Sequence, residues 1–279
     1  MYKWLIAADS SCDLPETELG GAAPLLKAPF IISVGGVDYV DDGELDGDEL
    51  LDAMDSSPEA GHTSCPAPGA WLRLFEQAEY AIAVTISSRL SGSWASAMTA
   101  RELFLERNPE RRALVIDSRS TGPAPSLIAL KAGELIEAGG SFEAVAGELT
   151  AYAGTLKTVF ALASFKNLVR NGRVSRAAGM IASALGIRGI GAGSEKGEIE
   201  LCARVRGAKK ALERIVEELR SRGYSGGELI ISHCRNIEDA ASLREMILRA
   251  WAGARVRILP ARGLCSYYAE RRGLIVAGR

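Results

Sequence analysis

The sequence predicts an α/β protein, with a mostly parallel Rossmann-like sheet in its first half and a smaller α/β unit after it. Two patterns carry that expectation. Short apolar runs alternate with helical stretches, as in a parallel sheet flanked by helices. Three of the early apolar runs also end in small polar segments: Asp9-Ser10-Ser11, Ser87-Ser88 and Asp117-Ser118. Open α/β sheets bind their ligands beyond strand ends of this kind.

Taken in order, Trp4 to Ala8 reads as the first strand. Leu14-Pro15-Glu16 reads as a helix start, with Asp13 as its N-cap and Pro15 in the first turn. Leu25 to Val34 reads as a strand region, and Gly35-Gly36 turns it into a hairpin with Val37 to Asp42. Asp46 to Met54 is a short acidic helix, His62 to Pro68 a loop, Gly69 to Ala78 a helix and Tyr80 to Ile86 a buried strand. A serine-rich loop leads into a helix from Trp94 to Glu106. Ala113 to Ile116 is a strand. Helices follow at Ser126 to Ala138, closed by Gly139-Gly140, and at Phe142 to Tyr152.

The pattern changes near residue 155, which divides the chain into residues 1–155 and 156–279. The second part reads as a strand from Thr158 to Ala163, a short helix from Phe165 to Val169, and a small-residue helix from Arg176 to Leu185. A strand from Glu198 to Ala203 and an amphipathic helix from Ala208 to Arg222 come next. A βαβ-like run (Glu228 to Ser232, Asp239 to Ala250, Arg255 to Leu259) leads to a last strand from Gly273 to Ala277.

Composition removes several classes of function. Apolar residues make up 47%, charged residues 24%, and the net charge is −2. No basic tract marks a nucleic-acid surface. No apolar stretch approaches the roughly 20 residues of a membrane span. The N-terminus has no signal-peptide layout. The five cysteines are scattered without a CxxC pair, which suits reduced thiols and a cytoplasmic location.

Candidate chemistry centres on hydroxyls. Thr63-Ser64 precedes Pro66, Pro68 and a helix, and Ser91 and Ser93 precede the Trp94 helix. Helix starts offer free N–H groups and partial positive charge to an anion, although simple N-capping explains the same residues. Arg173 in Asn171-Gly172-Arg173, and Arg204 and Arg206 near Lys209 and Lys210, are either a solvated surface or a cationic docking patch. Gly189, Gly191 and Gly193 have the wrong spacing for a dinucleotide fingerprint, and there is no P-loop. His62 near Cys65 and His233 beside Cys234 offer too few ligands for zinc. His62 could serve a serine hydrolase as base, but no GxSxG elbow exists.

The motifs taken together resemble the DegV family across nearly the whole chain. They run in order: Asp9-Ser10-Ser11-Cys12-Asp13-Leu14-Pro15, His62-Thr63-Ser64-Cys65-Pro66-Ala67-Pro68, Ile86-Ser87-Ser88-Arg89-Leu90-Ser91-Gly92-Ser93, Val115-Ile116-Asp117-Ser118, Leu168-Val169-Arg170-Asn171-Gly172-Arg173-Val174-Ser175 and Arg204-Val205-Arg206. The resemblance implies a two-domain α/β protein that encloses a long-chain fatty acid. It also implies partnership, in some relatives, with a dihydroxyacetone-kinase-like fatty acid kinase that phosphorylates the bound acid. By the same resemblance Thr63 and Ser91 hold the carboxylate, while Arg173 and Arg206 dock the partner; Ser64 and Ser93, from the same two hydroxyl segments, are second choices for the carboxylate. Two departures stand out: Cys65 replaces the family's usual glutamine, and Arg262 stands near the position of a C-terminal histidine that helps hold the carboxylate. Arg262 is matched to that role because a guanidinium binds carboxylates bidentately.

The expectation is therefore a carrier without catalytic residues, metal or cofactor other than its bound acid. Nucleic acid is not expected as a partner, and transient membrane contact is left open. The tunnel walls are expected from the first-half sheet and the Ser126 helix. A serine-dependent acyl hydrolase or transferase, and a regulatory interaction protein with a structural lipid, stand as alternatives.

Overall fold

In the computed structural model, which describes residues 1–19, 21, 23–175 and 186–279, three sheets organise the chain. The first is fully parallel. β1 (Tyr2–Asp9) lies between β2 (Leu25–Ala28) and β6 (Ala78–Thr85), and β7 (Arg112–Asp117) extends the far edge. Both faces are covered, as a parallel sheet requires. Period-two alternation divides β1 between them. Trp4, Ile6 and Ala8 join Leu127, Ile128 and Leu149 from α4 (Pro123–Glu137) and α5 (Phe142–Thr155). Ala7 faces Trp71, Phe75 and Phe104 from α2 (Pro68–Phe75) and α3 (Ser93–Arg107).

A small antiparallel sheet of β3 (Ile31–Val34), β4 (Val37–Val40) and β5 (His62–Ser64) stands beside it. The expected single strand region from Leu25 to Val34 is thus two strands in two sheets. Pro29 lies at the break, where its ring removes the backbone donor that a continuing ladder needs. His62–Ser64, expected as loop, pairs with β3. Between β4 and β5, α1 (Gly47–Ser56) starts where Asp46 accepts from the Asp48 and Glu49 N–H groups.

The second large sheet is built wholly from later residues, in the order β10 (Ile199–Arg206), β9 (Ile187–Gly193), β8 (Lys157–Leu162), β13 (Leu274–Gly278), β11 (Glu228–His233), β12 (Arg255–Pro260). Only β11 and β12 pair in parallel, joined by the crossover helix α8 (Ile237–Ala250). One face (Val159, Ala161, Leu229, Ile231, Val276) is sealed by α7 (Ala208–Ser221) and α8. On the other face Ile230 and Ala277 meet α4, while Phe160, Leu162 and Ile275 turn toward the ends of the first sheet.

The glycine run read as a poor dinucleotide motif is strand β9. A Cβ on Gly189 would lie 2.2 Å from the Phe165 ring, and one on Gly191 would lie 2.3 Å from Phe160. Glycine here seats two aromatic rings against the sheet. The helix expected from Arg176 to Leu185 lies outside the described residues. The helix expected at Leu14 is only a 3₁₀ turn, Glu16–Glu18, with no side-chain cap. Asp13 has other work, described below. α6 (Lys166–Arg170) is the short helix that was expected, and α9 (Gly263–Ala269) was not anticipated.

Candidate functional site

Asp9 ties the strand-end loops together. Its carboxylate is fully buried and accepts four hydrogen bonds: Ser11 N–H at 3.2 Å and Ser11 hydroxyl at 2.5 Å on Oδ1, Ile86 N–H at 2.9 Å and Ser93 hydroxyl at 2.6 Å on Oδ2. Burial still raises its pKa, with these bonds acting against that rise. The loop between β6 and α3 is thereby fixed, and Ser91 stands at its end. Ser91 Oγ accepts the Ser93 N–H at 3.3 Å.

Thr63 reaches the same region from β5, where it pairs with Ile32. Its hydroxyl is 2.8 Å from that of Tyr268 on α9. Burial pushes the Tyr268 phenol up, so it stays protonated. The Arg173 guanidinium lies over its ring, 5.7 Å from the centroid, and donates to the carbonyls of Leu90 (3.1 Å) and Asn171 (2.6 Å). α9 is anchored by a distant acid, since Asp41 accepts from the N–H groups of Gly263 (3.0 Å) and Leu264 (2.8 Å).

Behind these hydroxyls lies apolar space. One cavity is lined by Thr63, Ser91, Arg173 and Tyr268 together with Phe30, Ile86 and Leu264. A second continues past Phe160, Leu162 and Ala269. The two share Leu90, Thr121, Leu168, Ile199, Tyr268 and Ile275, so they adjoin end to end. Among the described residues no His, Cys, Asp and Glu group could hold a metal ion, and no helix is long and apolar enough to cross a membrane.

A family model described as "Uncharacterised protein, DegV family" matches residues 3–274. The chain belongs to the DegV family. A DegV domain-containing protein of Streptococcus pneumoniae is 39% identical over 276 residues, 98% of either chain. The solved structure of the Streptococcus pneumoniae fatty acid kinase (Fak) B3 protein, loaded with linoleic acid, matches with TM-score 0.94 and 39% identity. That match covers 99% of this chain and 98% of the other. A DegV family protein from Eubacterium eligens, loaded with heptadecanoic acid, matches with TM-score 0.94 and 38% identity over 98% of each.

In this DegV family member, the seven residues singled out from sequence do not share one place. Thr63 and Ser91 line one cavity, and Arg173, expected on a docking surface, lines it with them. Ser64 is exposed, because neighbouring strand residues face opposite ways. Ser93 is buried under the loop, with its hydroxyl given to Asp9. Arg206 is exposed at the end of β10 and lines neither cavity. Arg262 is also elsewhere. Its side chain donates to the Asp42 carbonyl at 2.6 Å and lines a separate polar cleft with His233 and Arg235. The walls come from the second sheet, the short helices α6 and α9, β5 and the loops, not from the first sheet or the Ser126 helix, whose apolar residues are consumed by core packing. Tyr268 was missed. The i, i+4 spacing of Leu264 and Tyr268, both lining the cavity, was the signal of a helix there.

Asp13 belongs to the same stretch of structure. Its Oδ1 accepts the Arg262 N–H at 2.8 Å, while Oδ2 is buried without a hydrogen-bond partner among the described residues, as is Ser232 Oγ. A Cβ on Gly122 would lie 2.8 Å from that Oδ2, and Gly122 has φ +63°, so only glycine suits the position. Burial pushes the Asp13 carboxyl from its ordinary 3.8 up to about 6, with the neighbouring Ser232 hydroxyl, the Arg262 N–H bond and the Lys27 charge acting against the rise. A folded-state value above the unfolded one means that this contribution to stability is complete below about pH 4 and lost as pH rises through 6. Asp13→Asn keeps the shape without the charge. Its stability relative to the parent, from denaturant unfolding, should therefore grow by about 2 kcal/mol between pH 4 and pH 7. A pH-independent difference would refute this.

Proposed function

We propose that this protein is a carrier of a long-chain fatty acid, with no catalytic step of its own. The tail lies in the two adjoining apolar cavities and the carboxylate at the Thr63–Ser91 end. The observation that carries the reading is this pairing of an apolar interior with unspent hydroxyls at one end. Ser91 Oγ accepts a backbone N–H, which leaves its own proton for a ligand oxygen. In the Thr63–Tyr268 pair one proton is used between the partners and the other is free. Two O–H donors and the nearby Arg173 charge therefore suit an anion that must not be buried unpaired. Each buried methylene adds about 0.8 kcal/mol, set against the cost of immobilising the chain.

The two fatty-acid-loaded relatives, similar over 98% or more of this chain, support the same ligand. The likeness to a fatty acid kinase B protein supports a further role, presenting the carboxylate to a separate kinase. Arg173 would then lie at the carboxylate end of the cavity and Arg206 on the outer surface. We read Ser91 as a ligand donor, since among the described residues no histidine hydrogen-bonds to it. Five free cysteines fit a cytoplasmic protein. Residues 1–155 and 156–279 are taken as its two domains, because the six-stranded sheet begins at Lys157 and the other two sheets end before it.

Native mass spectrometry of protein purified from cells, followed by lipid extraction, tests the reading. One long-chain acid per chain is expected. Protein that carries no acid and takes up neither palmitate nor oleate would overturn it.

A further inference from the structure

A further cleft, lined mainly by polar surface, lies where the two large sheets meet. It is formed by the turn after β7, the link from α5 to β8, the turn between β9 and β10, and the end of α7. Its charges do not balance. Three cations, Arg119, Lys157 and Arg222, line it with a single acidic residue, Glu195. Of the three, Arg222 is neutralised, by Glu200 at 3.3 Å and Glu218 at 3.4 Å. Lys157, half-buried at the start of β8, has no ion pair or hydrogen bond among the described residues. Arg119 donates to the Glu195 carbonyl at 3.3 Å and pairs with no carboxylate among the described residues.

Ser194 adds a third group. Its Oγ accepts the N–H groups of Lys196 at 3.2 Å and Glu198 at 3.0 Å, so both lone pairs are used. The bond left to it is the one its own proton can donate, and that proton has no acceptor among the described residues. Ammonium and guanidinium groups also only donate. All that these three residues have unspent is therefore donor capacity, two of them with positive charge, and the complement is an anion.

The three segments are held against one another. A Cβ on Gly193, beside Ser194, would lie 3.7 Å from the Thr158 Cβ, beside Lys157, and 3.8 Å from the Arg119 carbonyl oxygen. Asp117 accepts the Arg119 N–H at 2.8 Å and fixes a turn in which Arg119 has φ +50°. That left-handed conformation is costly for a residue with a side chain, and such cost is typically met at ligand clamps. A carboxylate offers two oxygens to these three groups. A phosphate group offers three and about twice the charge.

We propose that this cleft binds a phosphate group, held by Lys157, Arg119 and Ser194. A soluble phosphate and a phospholipid headgroup present the same chemistry, and the experiment separates them. The site shares no donor with the Thr63–Ser91 end and stands independently of the carrier reading.

Isothermal titration of the full-length protein with inorganic phosphate, at constant ionic strength, should show saturable binding of one ion per chain that acetate does not displace. Lys157→Ala and Ser194→Ala should each weaken it about tenfold, the loss of one hydrogen bond to a charged group. Lys157 holds nothing else in place, so its variant stays folded. Arg244→Ala, which removes an exposed charge on α8, should leave binding unchanged. Sedimentation with phosphatidylcholine vesicles that contain phosphatidic acid is the second arm. Binding of free phosphate without pelleting assigns the site to a soluble ligand, and pelleting that depends on Lys157 assigns it to a headgroup. No binding in either arm overturns the proposal. So does binding that survives both alanine substitutions, that acetate displaces equally well, or that Arg244→Ala weakens as much, since each of these is attraction to charge alone.

Discussion

Replacing Thr63 and Ser91 together by alanine is expected to weaken fatty-acid binding by about a hundredfold. The figure follows from the two O–H donors that these residues control. A hydrogen bond to a charged group contributes about 1.5–3 kcal/mol, and a loss of about 3 kcal/mol over two such bonds is a factor of about 100 in dissociation constant. The loss is not larger because Tyr268 is released from Thr63 in the variant and can turn its own proton toward the ligand. Arg173 also remains at the same end. Titration of the delipidated protein with palmitate measures the effect, and circular dichroism checks that the variant is folded. Neither hydroxyl carries a core contact, so the fold should survive. Unchanged affinity in a folded variant would remove both residues from the site.

The contrast between those two hydroxyls and their neighbours explains what could be read from the sequence. The alternation of apolar runs and helices exposed the parallel sheet, because β1, β6 and β7 are buried on both faces and cannot be anything but apolar. The strand-end loops were equally legible, since small polar residues must follow such strands. What could not be read was direction. Ser91 and Ser93 are two residues apart, and only the long-range bond from Ser93 to Asp9 decides that one hydroxyl is buried under the loop while the other faces the cavity. Arg262 has the right chemistry for a carboxylate, but its backbone is held by Asp13 and its side chain by the Asp42 carbonyl. Both partners are more than 200 residues away in sequence. β9 hid behind its glycines, which serve two phenylalanine rings rather than a phosphate. α9 hid because Asp41, from another part of the chain, supplies its cap. Local pattern gave elements, and non-local hydrogen bonds chose which side chains meet the cavity.

The strongest of these non-local bonds makes the last prediction. Asp9→Ala is expected to destabilise the protein by about 4 kcal/mol, at the upper end of single-substitution effects. Four donors lose their acceptor at once. The Ser11 and Ser93 hydroxyls can rotate toward other oxygens, but the Ser11 and Ile86 N–H groups cannot move without the backbone, and each buried orphan costs about 1–3 kcal/mol. Removing a buried charge offsets part of this, since burial already disfavours the ionised form. Asp9→Asn separates the two effects. An amide has one acceptor oxygen, so whichever way it is flipped one of the two N–H groups faces its NH₂, while the serine hydroxyl beside it turns to accept. One orphan instead of two predicts a loss of about 2 kcal/mol. Because Asp9 fixes the loop that ends at Ser91, both variants should also bind palmitate more weakly, and the alanine variant by more. Urea unfolding gives the stabilities, and titration with palmitate below the unfolding transition gives the affinities. Equal stability losses for alanine and asparagine would show that the charge, not the count of satisfied donors, holds this end of the sheet together.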